Sequence, residues 1–108
     1  MVNTNIDSVK LAVVGCGRWG INHVKTAHGL LGDNLKVVCD QRTDLVERVH
    51  DIAPGVSCTA SFDKMLGMQD LNAVIIATPA ETHFELAKRC LERGLNVLVE
   101  KQIGRAHV

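Results

Sequence analysis

"VVGCGRWGINH", residues 13–23, sets Gly15, Gly17 and Gly20 in a G-x-G-x-x-G frame with Arg18 and Trp19 inside it. Glycines gather in turns for conformational reasons alone, so the frame informs only in context. Just upstream, residues 10–14 form a short run rich in Val and Leu, which reads as a strand. Downstream, residues 19–31 read as a helix, with Trp19, His23, Ala27 and Leu30 on neighbouring turns and Val24 and Leu31 beside them. In such a strand–turn–helix the first glycine allows the tight turn. The second lets the backbone approach a pyrophosphate, and the third lets the helix pack on the strand. Free N–H groups at the helix start then face the phosphates. On the glycines alone, a tight turn that holds no ligand stays open.

The residues after the next strand weigh on that choice. Residues 35–39 (LKVVC) are again a short run rich in Val and Leu, and Asp40 stands at their end, twenty positions after Gly20. A carboxylate there accepts both ribose hydroxyl protons of an adenosine and repels a 2′-phosphate. Strand, glycines, helix, strand and acid together predict a dinucleotide site, and NAD is favoured over NADP. Gln41 and Arg42 follow directly and belong to the same candidate corner. Arg42 is either a partner for a 2′-phosphate or a solvated cation at the start of the second helix.

Bulk properties exclude other classes. The 108 residues suffice for one small domain. Twelve Lys and Arg balance twelve Asp and Glu, so no positive field is available to hold nucleic acid or an anionic membrane. Aromatics make up 3% of the chain, too few for a base-stacking platform. No apolar run reaches the roughly 18 residues of a membrane span, and the polar start "MVNTNIDSVK" lacks a signal-peptide core. Cys16, Cys39, Cys58 and Cys90 are scattered without C-x-x-C, which predicts reduced thiols, no metal site and a cytoplasmic protein.

Further apolar runs at residues 73–77 and 96–100, and a weaker one at 56–59, complete five expected strands. Continuous rather than alternating hydrophobicity marks strands buried on both faces, as in a parallel sheet. Between them, residues 43–52 (Leu45, Val46, Val49, Ile52) form an expected helix capped by Thr43 or Asp44. Ser61 is expected to cap a short helix at 61–66. Residues 82–93 carry Phe84, Leu86, Ala87, Cys90 and Leu91, with Gly94 at the left-handed C-terminal position. The predicted fold class is therefore α/β, a doubly wound parallel sheet of the Rossmann dinucleotide-binding type. Residues 96–100 would form an edge strand with uncovered apolar side chains.

In the second half, "VIIATPAETHFELAKRCLERGLNVLVEK" (74–101) ends its strands at Thr78-Pro79 and at Glu100-Lys101, both at the carboxyl edge. With "GCGRWG", "ATPAETH" and "VLVEK" in this order and spacing, the chain resembles the Gfo/Idh/MocA oxidoreductases over residues 9–101. The tryptophan form of the glycine frame and the "CD" at the end of the second strand look most like the nucleotide-sugar 3-dehydrogenase branch. The resemblance implies oxidation or reduction of sugars, nucleotide sugars or cyclitols with NAD(P), usually in a homo-oligomer. It implies that Gly15, Gly17, Arg18, Trp19 and Gly20 form the phosphate turn and that Asp40 holds the ribose. Ala77, Thr78 and Pro79 would line the path to the nicotinamide ribose with His83 nearby. Glu100 would contact the nicotinamide end, and Lys101 would hydrogen-bond the reacting hydroxyl as the catalytic residue. Taken alone, Glu100-Lys101 also reads as a solvated strand end, and His83 as a packing residue at a helix start.

One departure stands out: the family's Glu-Lys-Pro triplet is here Glu100-Lys101-Gln102. The expected organisation is a binding domain over residues 1–101 and a non-native tail at 102–108, because "IGRAHV" is one reading frame of a widely used sequencing adapter. No role is assigned to Arg105 or His107. The family's substrate domain, with its catalytic histidine, would be absent, leaving a truncated and inactive polypeptide. The rival function is a non-catalytic NAD(P)-binding regulator of the same fold.

Overall fold

Runs of Val, Ile and Leu that can bury both faces become the centre of a single parallel sheet. The computed structural model describes residues 8–15 and 18–99, with no account of the side chains of Arg18 and Trp19. Its strands are β1 (Leu11–Val14), β2 (Leu35–Cys39), β3 (Ser57–Thr59), β4 (Ala73–Ile76) and β5 (Asn96–Val99). They lie in the order β3-β2-β1-β4-β5, and every neighbouring pair is parallel. The helices are α1 (Arg18–Leu31), α2 (Val46–Ile52), α3 (Phe62–Leu66) and α4 (His83–Glu92). This is the Rossmann-like, doubly wound arrangement expected from the sequence.

The strands feed two separate cores, by strict alternation in β1 and β4 and with a break at Lys36 in β2, where the register against β1 shifts. Leu11, Val13, Leu35 and Val38 pack with Ile21, Val24 and Ala27 of α1 and Val49 of α2. Ala12, Val14, Val37, Cys39, Val74 and Ile76 pack on the other face with Met65 of α3 and Cys90 of α4. The five-residue α3 is too short to persist unaided. Its Ser61 hydroxyl accepts the Lys64 N–H at 3.1 Å, as the capping expectation required, for about 1 kcal/mol. Complete burial of Met65 adds roughly 2–3 kcal/mol, so packing rather than the cap holds α3 in place.

Several expectations need correction. The inward stripe of α1 is Ile21–Val24–Ala27 with Leu31 against it, while Leu30 points to solvent. On α4, Cys90 is buried and Leu86 and Ala87 half-buried, but Phe84 and Leu91 are exposed. Neither Thr43 nor Asp44 caps α2 with its side chain. The chain enters through a 3-10 turn at Thr43–Leu45, and the Asp44 carboxylate is spent on Arg42. Strand β4 stops at Ile76, although the Ala77 N–H still donates to Val14 O at 2.8 Å. Gly94 has the expected positive φ of 86° after α4. Strand β5 is one edge of the sheet among the described residues, and Leu98 stays uncovered as foreseen. No helix among the described residues is long and apolar enough to cross a membrane.

Candidate dinucleotide site

All parallel strands end at one edge, which gathers the segments that the sequence singled out. Gly15 follows β1, Asp40 follows β2, and Ala77–Thr78–Pro79 follows β4. The strand order reverses between β1 and β4, so the crossovers leave opposite ways and open a crevice between these two ends. A roomier hollow of about 290 Å³ lies at the opposite edge beside His28, Lys36 and Ser57. The motif residues do not line it.

Gly15 sits directly against the loop after β4. Its φ is 91°, and a Cβ there would lie 2.9 Å from Thr78 Cγ2 and 3.0 Å from the Ala77 carbonyl carbon. Only hydrogen fits. The Gly15 N–H donates to Cys39 O at 2.7 Å, so this amide closes the sheet instead of facing a phosphate. Gly20 is buried in the first turns of α1. Gly17, Glu100 and Lys101 lie outside the described residues, as do Cys16 and the tail at 102–108.

At the end of β2, the Asp40 N–H donates to Thr59 O at 3.0 Å, while its Oδ1 accepts the Arg42 N–H at 2.7 Å. That local turn sets the Asp40 carboxylate at the edge, half-exposed, with exposed Gln41 beside it. The Arg42 guanidinium reaches Asp44 Oδ2 at 3.1 Å, and this hydrogen bond holds the Asp44 carboxyl below the usual carboxylate range. A hollow of about 70 Å³ adjoins them, lined by Val38, Asp40, Arg42, Thr43 and Cys58 among others. Burial, aided by the neighbouring Asp40 charge, pushes the Cys39 thiol up to about 11, which leaves it protonated and inert at neutral pH. Cys39, Cys58 and Cys90 are all unpaired thiols.

After β4 a short hydrogen-bond chain fixes the loop. The Thr82 hydroxyl donates to Pro79 O at 2.7 Å, a carbonyl that can only accept. Its proton thus committed, Thr82 Oγ1 accepts from Thr78 Oγ1 at 2.6 Å. His83 Nε2 lies 2.6 Å from Thr78 O, another pure acceptor, which requires the Nε2–H tautomer. His83 is thus a brace for the loop packed on Gly15. Sequence reasoning overlooked Thr82, although a threonine three residues after proline was the available signal.

The brace has a measurable consequence. His83→Leu removes one hydrogen bond of about 1 kcal/mol, so NADH affinity should fall roughly fivefold. His83→Gln, which restores a donor, should recover most of it. A Leu variant that binds as tightly as the parent would remove the positioning role.

Comparison with known proteins places this geometry. Residues 9–103 match the Gfo/Idh/MocA family model, described as an oxidoreductase family with an NAD-binding Rossmann fold. Inositol 2-dehydrogenase of Arthrobacter sp. (strain FB24) is 30% identical over 98 residues, which are 90% of this chain and 29% of that enzyme. An NAD-binding protein from Listeria innocua superposes with a TM-score of 0.75 at 33% identity, over 89% of this chain and 28% of the other. The WlbA dehydrogenase from Bordetella pertussis, solved with NADH and UDP-GlcNAcA, gives a TM-score of 0.74 at 27% identity, over 86% and 29%. The chain thus spans under a third of the length of these relatives.

Proposed function

The chain belongs to the Gfo/Idh/MocA oxidoreductase family as an NAD-binding Rossmann domain, and on that premise we propose that it forms the cofactor-holding part of a dehydrogenase for ring hydroxyls. The substrate class is a cyclitol, sugar or nucleotide sugar. The relatives support that range, since one is an inositol 2-dehydrogenase and another was solved with UDP-GlcNAcA. No observation favours the non-catalytic regulator. A homo-oligomer in the cytoplasm, with the binding domain at residues 1–101 and an added tail at 102–108, belongs to the same proposal.

The observation that carries it is the seam between β1 and β4, where Gly15 meets Ala77–Thr78 beside the acid that ends β2. The residues present suit a dinucleotide. Asp40 offers acceptor oxygens that match a ribose diol, and small side chains leave the edge open. Gly17 and the amides opening α1, with Arg18 and Trp19, would hold the pyrophosphate. Ala77, Thr78 and Pro79 would guide the nicotinamide ribose, and Glu100 would contact the nicotinamide end. Lys101 hydrogen-bonds the reacting hydroxyl and assists its proton transfer. NAD, when bound, supplies the hydride acceptor.

NADH titration of the 108-residue chain tests the site. The parent should bind, and Gly17→Val should lose most of that affinity because a side chain would occupy the pyrophosphate's place. The parent should also prefer NADH to NADPH. Asp40→Ser should narrow that preference by roughly tenfold, since it removes a charge that repels the 2′-phosphate. A parent that prefers NADPH would defeat the ribose assignment.

A further inference from the structure

We propose that Asp44 is a second specificity-determining residue, which keeps Arg42 from serving a 2′-phosphate and so reinforces selection of the unphosphorylated dinucleotide. The inference rests on the ribose site proposed above and concerns a residue outside the glycine–acid motif.

Arg42 alone carries positive charge among the described residues lining the hollow beside Asp40. Taken by itself, it is the natural partner for a phosphate on the adenosine ribose, since guanidinium groups pair bidentately with phosphate. Its surroundings oppose that use. Asp40 Oδ1 accepts the Arg42 N–H at 2.7 Å, which fixes the backbone of this residue. Arg42 is extended, with φ −86° and ψ 97°, immediately before the 3-10 turn Thr43–Leu45. From that position its guanidinium turns back onto Asp44, two residues on, at 3.1 Å.

A 2′-phosphate must therefore compete with Asp44 for the guanidinium and also approach two carboxylates. One guanidinium between two carboxylates leaves the corner net negative. An exposed ion pair is weak in itself. Repulsion between Asp44 and a dianionic phosphate acts in the same direction, and the two effects add. Unphosphorylated ribose feels neither, so the discrimination falls on one cofactor only.

The experiment measures NADH and NADPH affinities of the 108-residue chain by fluorescence of the reduced nicotinamide, for the parent, Asp44→Asn and Asp44→Glu. Asp44→Asn should tighten NADPH roughly three- to tenfold while leaving NADH within about twofold. Asp44→Glu keeps the charge and should keep the parent's ratio. The gain should shrink in about 0.5 M salt, as a charge effect must and a packing effect need not. An Asn variant with an unchanged ratio, or one that weakens both nucleotides equally, overturns the role of Asp44 while the site stands. A parent chain that binds neither nucleotide overturns the dinucleotide site itself, and this inference with it.

Discussion

Gly15→Val should unfold at markedly lower urea than the parent, with a loss of roughly 2–4 kcal/mol, and should bind no NADH under conditions where the parent does. Two penalties combine. Gly15 has φ 91°, a region that β-branched residues scarcely enter. Its Cβ would also stand 2.9 Å from Thr78 Cγ2, 3.0 Å from Ala77 C and 3.1 Å from Ala77 O. Relief by rotating Thr78 is limited, because its hydroxyl is held by Thr82. Ala77 is backbone already paired with Val14. Either the turn or the loop after β4 must move, and the proposed site consists of both. Gly29 supplies the control of opposite sign. It lies in α1 with nothing within 4 Å of a built Cβ, so Gly29→Ala should stabilise by up to about 1 kcal/mol. Circular dichroism during urea unfolding reads both, and equal midpoints for Gly15→Val and the parent would show that the turn is not under this constraint.

That contrast bears on what a sequence can disclose. The sheet was legible because LAVV and AVII are apolar throughout and LKVVC is so but for Lys36, and few other structures bury such runs. The site's outline was legible because parallel strands deliver their ends to one edge, so Gly15, Asp40 and Ala77 had to converge. Helix phase was less readable. Leu30 beside Leu31, and Leu91 beside Cys90, offer adjacent apolar candidates, and only packing on the sheet chooses between them. The role of Asp44 was misjudged for a different reason. A cap and an ion pair compete for the same carboxylate, and the extended backbone at Arg42 settled the competition. The His83 bond to Thr78 O likewise depends on how the 3-10 turn Ala80–Thr82 folds the chain back. Charge, periodicity and spacing do not encode that fold-back.

The largest functional effect expected is the absence of turnover by the 108-residue polypeptide, despite binding NAD. Hydride transfer to nicotinamide needs the carbinol carbon held at close range and a group to take the hydroxyl proton. Among the described residues after β4, Ala77 and Pro79 cannot move a proton, and Thr78 is engaged with Thr82. His83 is committed through Nε2 to Thr78 O. Lys101 remains as the proposed proton-handling group, and one such group does not align a substrate. Orientation alone is worth roughly 7–11 kcal/mol in well-positioned reactions, so its loss would cost about five or more powers of ten in rate. The relatives named for such substrates are about three times as long as this chain. Purified chain mixed with NAD and a panel of inositols, sugars and nucleotide sugars should therefore form no NADH above the protein-free rate. A protein-dependent rate that Lys101→Ala abolishes would mean that these residues already position the substrate, and the division between a cofactor-holding part and a substrate-holding part would have to be abandoned.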